Sequence, residues 1–404
     1  MKTIIKRNNI SLQAIGYQTK LPGVEYVEHD YIIRVGNAVY NALTGEIAVV
    51  DENDRDEMIR RWFLAPKDMN LAGLAHMTRQ AAHSMKTARS INRYVIFTTT
   101  GCNGDCEYCF QHGLDPVTMS EQTASNVAAF ILKNANVGLM TNIRWFGGEP
   151  LTNKAVITQI CQTLKDARRR YSSSMSSNGD LFDTVTDEEV ELWQLKSVQL
   201  TLDAVGTEYD RIKGLPDGAY ERLKATIARF PNVNFVLRVH YDPEKGAEPC
   251  EQIVDDFKGF ANVTMYAAML YDGDKTQADY EQLLNIEDYM ISAGKMTPRL
   301  PNMTPDVYCM ADTRTTACIT PTGDLTPCEH FVTGESYGSI YTTERDQTVL
   351  DRWAEKVKDR DSCESCPLYP SCETICRCES AGVCSDGYRY YRIEKIKRAL
   401  DGVI

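Results

Sequence analysis

Strand-like and helix-like segments alternate from about residue 92 to residue 295, and this alternation constrains the fold more than any other feature of the sequence. Each predicted strand is a short apolar or alternating run, and apolar residues at helical spacing follow it. The six predicted strands are Tyr94–Thr98, Asn142–Phe146, Ser172–Ser177, Val198–Leu202, Val233–Val239 and Val263–Tyr266. Consecutive β–α units indicate a parallel sheet with right-handed crossovers, and six are too few for an eight-stranded barrel. We therefore predict an α/β fold, a partial (β/α)6 barrel whose ligands bind at the carboxyl ends of the strands.

The segments on either side of this barrel differ from it in pattern. Residues 1–90 combine short strands with helices, which is typical of a small α+β module, and residues 301–404 are rich in cysteine and poor in apolar periodicity. We take 1–90, 91–300 and 301–404 as three domains. The first is either a packing appendage or a peptide-docking module whose edge strand pairs with an extended ligand. In the third, metal clusters would take the place of an apolar core.

Charge and composition exclude several classes of protein. A net charge of −12 leaves no general basic surface for nucleic acid or for an anionic membrane. No apolar run approaches the ~18 residues that span a bilayer, and the basic first residues lack the apolar stretch of a secretory signal. We expect a cytoplasmic protein whose 14 cysteines stay reduced. That number exceeds what packing requires and indicates metal or iron–sulfur ligation.

A compact cysteine motif follows the first predicted strand. Cys102, Cys106 and Cys109 have the spacing C-x3-C-x2-C. Three thiolates on one loop are able to hold three irons of a [4Fe–4S] cluster, which leaves the fourth iron open to a substrate or cofactor. A zinc site is the alternative, with His112 as the nearby histidine.

Polar and glycine residues lie where the second to fifth predicted strands end. They are Gly147, Gly148, Glu149, Pro150, Ser177, Asn178, Thr201, Asp203 and Arg238. Glycines allow a backbone to approach a ligand closely, Glu149 offers a carboxylate, and Arg238 suits a carboxylate partner. Each residue alone is equally compatible with an ordinary turn or a surface ion pair.

The C-x3-C-x2-C motif after strand one, with Gly-Gly-Glu-Pro after strand two, resembles the radical S-adenosylmethionine (SAM) enzymes. The resemblance implies that Cys102, Cys106 and Cys109 hold a [4Fe–4S] cluster whose open iron binds SAM. Reductive cleavage of SAM would give a 5′-deoxyadenosyl radical that abstracts hydrogen from a substrate. The resemblance also implies that the strand-end residues contact SAM, and it places Tyr108 near the adenine.

The C-terminal cysteines resemble the SPASM extension of that family, which holds two auxiliary [4Fe–4S] clusters. By this resemblance the first auxiliary cluster has the ligands Cys309, Cys328 and Cys376, with Cys318 as a further candidate. The second has the ligands Cys363, Cys366, Cys372 and Cys384. Cys378 has no counterpart. A zinc-binding tail is the alternative, because C-x2-C pairs also bind zinc.

Three further residues, Glu329, Cys161 and Cys250, lie outside these cluster motifs. Glu329 directly follows Cys328, at a position where sulfatase-maturing relatives carry an aspartate that acts as a base. Glu329 is either a base toward the substrate or a solvated neighbour of the cluster, and its extra methylene counts against sulfatase maturation itself. Cys161 and Cys250 lie on apolar helical faces and are predicted to pack in the core.

SPASM-bearing relatives act mainly on peptides and proteins. The resemblance therefore implies a peptide maturase that abstracts hydrogen from a ribosomally synthesised precursor peptide and forms a thioether or carbon–carbon cross-link. The implied partners are a precursor peptide with a leader sequence and a flavodoxin- or ferredoxin-type reductant. Formylglycine formation on a protein, peptide epimerisation, a non-enzymatic iron–sulfur electron carrier and a zinc-dependent binding protein are the alternatives.

Overall fold

The computed structural model describes residues 1–5, 15–84, 91–270, 275–297, 310–313, 316–354, 363–372 and 384–402. Within them the strands are β1 (Lys2–Ile5), β2 (Tyr26–Val27), β3 (Ile32–Val35), β4 (Ala38–Asn41), β5 (Glu46–Val49), β6 (Ala65–Pro66), β7 (Arg93–Thr99), β8 (Thr141–Gly147), β9 (Tyr171–Ser177), β10 (Leu195–Leu202), β11 (Asn234–Tyr241), β12 (Val263–Met269), β13 (Thr316–Ile319), β14 (Asp324–Thr326) and β15 (Gly338–Ser339).

Six of these strands form the parallel sheet that the sequence predicts. Strands β7 to β12 lie side by side in chain order, and each pairs in parallel with the next. Along β11, Phe235, Leu237 and Val239 are buried, whereas Val236 and Arg238 between them are half-buried. Since neighbouring residues of a strand point to opposite faces, one face packs under helices and the other lines the barrel interior. The prediction of a partial barrel is confirmed.

Amphipathic helices connect the strands and cover the outer face. They are Glu121–Asn134, Lys154–Asp166, Asp187–Trp193, Gly206–Lys213, Ala219–Arg229, Glu248–Phe257 and Gln277–Ser292. A capping box begins the helix Asp187–Trp193, because the Thr186 hydroxyl accepts the Glu189 N–H while the Glu189 carboxylate accepts the Thr186 N–H. Ser120 caps the first of these helices in the same way, by accepting the Thr123 N–H. These helices bury the outward residues of the strands in one large core.

The sheet continues beyond β7, which the sequence did not predict. Strand β13 pairs in parallel with β7, and β14 and β15 add antiparallel strands outside it. The order across the sheet is β12-β11-β10-β9-β8-β7-β13-β14-β15. Residues beyond the predicted boundary at 300 therefore extend the same sheet as the barrel strands.

The N-terminal residues form a separate four-stranded antiparallel sheet in the order β1-β5-β4-β3, and β2 pairs with β6 nearby. The helices of this module are Arg55–Arg60 and Ala72–Ser84. A buried ion pair joins Arg61 to Glu46, with 2.5 Å between Nη2 and Oε1. These residues thus combine short strands with helices, the α+β pattern that the sequence predicts.

C-terminal residues pack against the N-terminal module. The helix Asp386–Asp401 contributes Ile396 and Leu400 to a core that includes Tyr40 of β4. The Tyr31 hydroxyl donates to the Glu364 carbonyl oxygen at 2.9 Å, and the Tyr40 hydroxyl donates to Ser371 Oγ at 2.9 Å. Two further short helices, Met310–Thr313 and Gln347–Ala354, complete the described C-terminal part.

Among the described residues, no helix combines the length and the apolarity that crossing a membrane requires.

Candidate active site at the carboxyl ends of the strands

The cysteine loop, defined as residues 102–109, lies just beyond the carboxyl end of β7. The Asp105 N–H donates to the Lys213 carbonyl oxygen at 2.8 Å, and the Cys109 N–H donates to the Cys106 carbonyl oxygen at 3.0 Å. A Cβ on Gly104 would lie 2.7 Å from the same Lys213 oxygen, so the loop packs here at glycine distance. The Gly104 N–H donates to Cys102 Sγ at 3.3 Å. The end of the helix Gly206–Lys213 thus holds the loop by its backbone.

Gly147 and Gly148 allow the end of β8 to pack closely against the end of β7. A Cβ on Gly147 would lie 2.4 Å from the Thr99 carbonyl oxygen, and a Cβ on Gly148 would lie 2.3 Å from that of Gly101. Real Cβ atoms do not tolerate such distances, so both positions need glycine. The backbone that leads into Cys102 lies where these Cβ atoms would be, and the predicted contact of the two glycines with a ligand stays a prediction.

The Glu149 carboxylate ties the second and third strand ends together. It is fully buried and accepts hydrogen bonds from the Asn178 N–H at 2.8 Å, the Leu151 N–H at 3.0 Å and the Ser177 hydroxyl at 2.9 Å. Burial raises the pKa of Glu149 to about 7, although these hydrogen bonds act in the opposite direction. Its oxygens are therefore occupied by the protein itself, so it fixes the strand ends rather than presenting an open acceptor.

Asn178 links this arrangement to the cysteine loop. Its side-chain N–H donates to Asn103 Oδ1 at 2.8 Å and lies 3.8 Å from Cys102 Sγ. Asn103 in turn donates to Asp180 Oδ2 at 3.0 Å, and Asp180 pairs with Arg222 at 2.6 Å. The predicted third strand end is thus in direct contact with the loop.

A second group, the Asp203 network, consists of Tyr108, Asp203, Lys213 and His240. Asp203 accepts from the Tyr108 hydroxyl at 2.7 Å, lies 2.7 Å from Lys213 Nζ and lies 2.7 Å from His240 Nδ1. Lys213 Nζ also donates to the Tyr108 hydroxyl. The network joins the cysteine loop, the end of β10 and the end of β11.

Charge and burial act against each other in the Asp203 network. Burial alone would raise the pKa of Asp203, but the hydrogen bond from His240 and the charge of Lys213 outweigh it and hold that pKa far below its usual range. Burial lowers the pKa of His240 and prevails over the attraction of Asp203. The carboxylate is therefore ionised and the imidazole neutral near pH 7.

The sequence predicted Tyr108 and Asp203 for this site but not Lys213 or His240. Neither of the missed residues belongs to a spaced motif. Lys213 ends a helix after β10, and His240 lies two residues after Arg238 on the same face of β11. The period of two along β11 was the signal that could have identified His240.

Thr201 and Arg238 line the barrel interior below the network. They lie side by side in the β10–β11 pair, and Tyr266 of β12 is the next neighbour of Arg238. Arg144 of β8 donates to Ser176 Oγ at 2.7 Å from the opposite side of this interior. The interior is therefore polar and cationic.

Glu329 lies on the Arg144 side of this interior. It begins the 3-10 turn Glu329–Phe331, and its Oε1 lies 3.9 Å from Arg144 Nη1. Its Oε2 is buried and has no hydrogen-bond partner among the described residues. Glu329 thus has one buried carboxylate oxygen without a donor among the described residues, and its role as a base stays a prediction.

Cys318 and Cys328 occupy the strand pair next to β7. Cys318 is fully buried on β13 and packs with Val95 and Phe97 of β7. Burial raises the pKa of the Cys318 thiol far above its ordinary value. Cys328 is also buried and precedes the turn that carries Glu329.

Three of the other described C-terminal cysteines, Cys363, Cys366 and Cys372, lie near the N-terminal module. Cys363 and Cys366 share one turn, in which the Cys366 N–H donates to the Cys363 carbonyl oxygen at 2.9 Å. Cys372 follows that turn, and its Sγ lies 3.8 Å from Arg392 Nη1. Cys384 precedes the helix Asp386–Asp401. The predicted ligands Cys309 and Cys376, together with Cys378, lie outside the described residues.

Cys161 and Cys250 lie in the main core, one in the helix Lys154–Asp166 and one in the helix Glu248–Phe257. Burial raises the pKa of each thiol to about 12. Their predicted role as packing residues is confirmed.

The cysteine loop has the donor chemistry of an iron–sulfur site. All described cysteines are free thiols, and those of the loop are exposed or half-buried. Cys102 Sγ already receives the Gly104 N–H, and hydrogen bonds to sulfur are one way in which proteins tune such clusters. In the described part of the chain, no three cysteine, histidine or acidic side chains converge as ligands of one metal ion do. A [4Fe–4S] cluster makes no such demand, because each cysteine binds a different iron.

Comparisons with known proteins agree with this geometry. Residues 96–255 match the model of the radical SAM superfamily. No curated protein matches the chain in sequence. A solved structure of anSMEcpe with bound AdoMet and Cp18Cys peptide aligns over 77% of this chain and 98% of its own, with a TM-score of 0.60 and 16% identity. Streptococcus suis SuiB bound to the precursor peptide SuiA aligns over 87% of this chain and 95% of its own, with a TM-score of 0.53 and 15% identity. At such identities the structural likeness shows a shared fold, and the family match supports a radical SAM domain in residues 96–255.

Proposed function

We propose that this protein is a radical SAM enzyme that modifies a ribosomally synthesised peptide and forms a side-chain cross-link by abstracting a hydrogen atom. The observation that carries the proposal is the position of the cysteine loop, within the segment that matches the radical SAM superfamily and at the carboxyl ends of the parallel strands. Ligands of parallel α/β folds bind at that edge of the sheet.

The choice of a peptide substrate rests on the structural neighbours and on the barrel interior. Both anSMEcpe and SuiB were solved with bound peptides, and this chain shares their fold. Half-buried polar groups such as Arg144 and Arg238 alternate with buried apolar residues along β8 and β11. A peptide side chain that reaches this interior would meet cationic and hydroxyl groups.

In this proposal the chain's own residues bind the cluster and SAM and hold the cysteine loop in place. Cys102, Cys106 and Cys109 would hold a [4Fe–4S] cluster, which when bound supplies the electron that cleaves SAM. Glu149 and Asn178 hold the loop and the strand ends in place through the hydrogen bonds described above. SAM would contact the remaining predicted residues, namely Tyr108, Gly147, Gly148, Pro150, Ser177, Thr201, Asp203 and Arg238.

We further propose two auxiliary [4Fe–4S] clusters in the C-terminal part. Cys309, Cys328 and Cys376 would hold the first, and Cys363, Cys366, Cys372 and Cys384 the second. Cys328 precedes Glu329, so the first cluster would lie beside the interior where the carboxylate would accept a proton from the substrate. An auxiliary cluster would accept the electron that remains after bond formation, and a flavodoxin- or ferredoxin-type protein would supply the electron for SAM cleavage.

The N-terminal module is proposed to bind the leader of the precursor peptide by strand addition. β1 and β3 are the two edges of its sheet. Val35 and Ala38 pair across the two-residue turn between β3 and β4, so the preceding residue, Arg34, is expected to turn its N–H outward. Arg34→Pro would remove that donor without breaking the β3–β4 ladder, whereas Arg34→Ala keeps it. Loss of leader affinity in the first variant alone would support docking on β3, and equal affinity in both would contradict it.

The test of the function is an anaerobic reaction of the reconstituted protein with SAM, a reductant and the short peptide encoded beside its gene. We expect formation of 5′-deoxyadenosine and a peptide that has lost two hydrogen atoms for each cross-link. A product that reacts with an aldehyde probe would indicate formylglycine, and an unchanged mass with inverted stereochemistry would indicate epimerisation. Either of these two products would overturn the cross-linking proposal, and absence of 5′-deoxyadenosine would overturn the radical SAM assignment.

A further inference from the structure

His240 is the one member of the Asp203 network that retains an unused polar atom in the described part of the chain. It is 7% exposed, and its Nε2 is buried without a hydrogen-bond partner among the described residues. A buried acceptor left without a donor costs about 1–3 kcal/mol. Such an atom at the carboxyl end of a barrel strand marks a place where a ligand would supply the missing partner.

The protonation of the ring follows from its other contact. The Asp203 carboxylate lies 2.7 Å from His240 Nδ1, and an ionised carboxylate accepts hydrogen bonds only. Nδ1 therefore carries the proton. In a neutral imidazole the second nitrogen is then an acceptor, so Nε2 presents a lone pair.

The surroundings of this lone pair follow from the strand order. Asp203 comes directly after β10, and Nδ1 faces it, so Nε2 points away from the Asp203 oxygen that Nδ1 contacts. On β12, the other strand beside β11, the residue in register with His240 is Ala268, whose side chain is a single methyl group.

Asp203, by contrast, has little acceptor capacity to spare. Its two oxygens already receive Tyr108, Lys213 and His240, and an ionised carboxylate offers about four lone pairs in all. Asp203 therefore has room for at most one further donor from SAM. His240 Nε2 receives no donor among the described residues and offers a second route from the Asp203 network to a bound ligand.

We infer that His240 Nε2 accepts a hydrogen bond from a hydroxyl or N–H group of bound SAM, with Asp203 as the positioning residue that fixes the acceptor tautomer. This inference rests on the proposed function. SAM is favoured over the peptide because His240 lies beside the cysteine loop, with 5.3 Å between the ring centroids of His240 and Tyr108. A cofactor held at that loop is within reach of the strand end that carries His240.

The test measures SAM binding to the unreduced, anaerobically reconstituted protein by calorimetry, so that no turnover is needed. His240→Phe keeps a ring and removes the acceptor, and we expect it to weaken SAM binding about tenfold, equivalent to ~1.4 kcal/mol. Ala268→Leu leaves the Asp203–His240 pair intact and enlarges the side chain in register with His240 on β12, so we expect it to weaken binding to a similar degree. Thr264→Val, an isosteric change lower on β12, is the matched control and should bind as the wild type does.

Asp203→Asn tests the positioning role. It should weaken SAM binding in the wild type but add little in the His240→Phe background, because the two residues act through one atom. Parallel titrations with 5′-deoxyadenosine and with methionine distinguish which half of SAM supplies the donor: the half whose affinity depends on His240 supplies it.

Two results would overturn the inference. One is SAM affinity within twofold of the wild type in both His240→Phe and Ala268→Leu. The other is unchanged SAM affinity together with weakened binding of the precursor peptide, which would assign Nε2 to the substrate. If the wild type itself bound no SAM, the proposed function would fail rather than this assignment. Iron content and thermal unfolding of each variant show whether it is folded and loaded.

Discussion

The cysteine loop and the C-terminal cysteines are held in different ways. The loop and the backbone that enters it are fixed by hydrogen bonds and glycine contacts to the ends of β8 and β9 and to the end of the helix Gly206–Lys213. The described C-terminal cysteines are spread over β13, the turn after β14, the turn at residues 363–372 and the start of the last helix. Protein packing alone thus shapes the first site, whereas the second set of residues would be brought together by the metal itself.

The two regions therefore should respond differently to change. A loop that is shaped by the sheet depends on each strand end that touches it. A set of cysteines on separate elements would act as a cross-link between those elements, as metal ligands do in small domains with little core. The predictions below test this difference, beginning with the largest expected effect.

Cys102→Ala should abolish SAM cleavage. It removes one of the three thiolates of the loop, and an iron–sulfur cluster on the remaining two would lose the geometry that leaves a single iron open. The measurement is 5′-deoxyadenosine after reduction in the presence of SAM. Cys161→Ala, a change of a buried packing cysteine, is the control and should still cleave SAM. Equal cleavage by Cys102→Ala and the wild type would contradict the role of the loop.

Gly148→Ala should reduce SAM cleavage by at least about tenfold while the protein remains folded, with a loss of stability of about 1–3 kcal/mol. The added Cβ would meet the Gly101 carbonyl oxygen at 2.3 Å and displace the backbone that enters Cys102. Gly259→Ala is a matched control, since nothing lies within 4 Å of its added Cβ. Wild-type cleavage by Gly148→Ala would show that the strand ends do not shape the loop.

Cys328→Ala and Cys366→Ala should leave SAM cleavage largely intact and strongly reduce cross-linked product. Each removes a proposed ligand of one auxiliary cluster but does not touch the cysteine loop. Iron content should fall in both variants, and mass spectrometry of the peptide gives the yield. Normal product from both variants would remove the auxiliary clusters from the reaction.

Glu149 should make folding stability depend on pH. Burial raises its pKa from 4.5 to about 7, so the folded protein holds a proton that the unfolded chain releases between these values. Stability is then fully present below about pH 4.5 and decreases as the pH rises to about 7, by about 3 kcal/mol in total. Denaturant unfolding of the wild type and of Glu149→Gln at several pH values measures this. In Glu149→Gln the free energy of unfolding should lack this decrease with rising pH. The same pH dependence in both proteins would show that Glu149 is ionised throughout.

Cys318→Ala should have the smallest effect on the metal sites. Its thiol is enclosed between β7 side chains, so we expect unchanged iron content and a stability loss of about 1–2 kcal/mol from the lost packing. A clear fall in iron content would instead identify Cys318 as a ligand of the first auxiliary cluster.

The barrel and its strand ends could be predicted because they depend on local patterns. Alternation along β11, a capping box at Thr186 and a cysteine spacing are all visible in a short stretch of sequence. The extension of the sheet by β13 could not be predicted in this way. This strand has only four residues, Thr316–Ile319, which are too few to show a strand pattern in the sequence. Its Cys318 was predicted as a candidate cluster ligand rather than as a strand residue.

The candidate site was predicted only in part, for a similar reason. The sequence patterns predicted the residues at the strand ends, but they did not predict which side chains hydrogen-bond to those residues. Asp203 was expected to meet a ligand, and strand register and helix packing instead bring Lys213 and His240 to it. Gly147 and Gly148 were predicted as site residues, but the sequence did not show that they pack against the backbone at the end of the neighbouring strand β7. Such contacts join residues that are distant in sequence and carry no spacing signal.

The central claim is that the cysteine loop supports radical cleavage of SAM, and formation of 5′-deoxyadenosine tests it most directly. The anaerobically reconstituted wild type, reduced in the presence of SAM, is predicted to release 5′-deoxyadenosine and methionine and to contain iron and sulfide. A colourless protein with stoichiometric zinc and no 5′-deoxyadenosine would contradict the account.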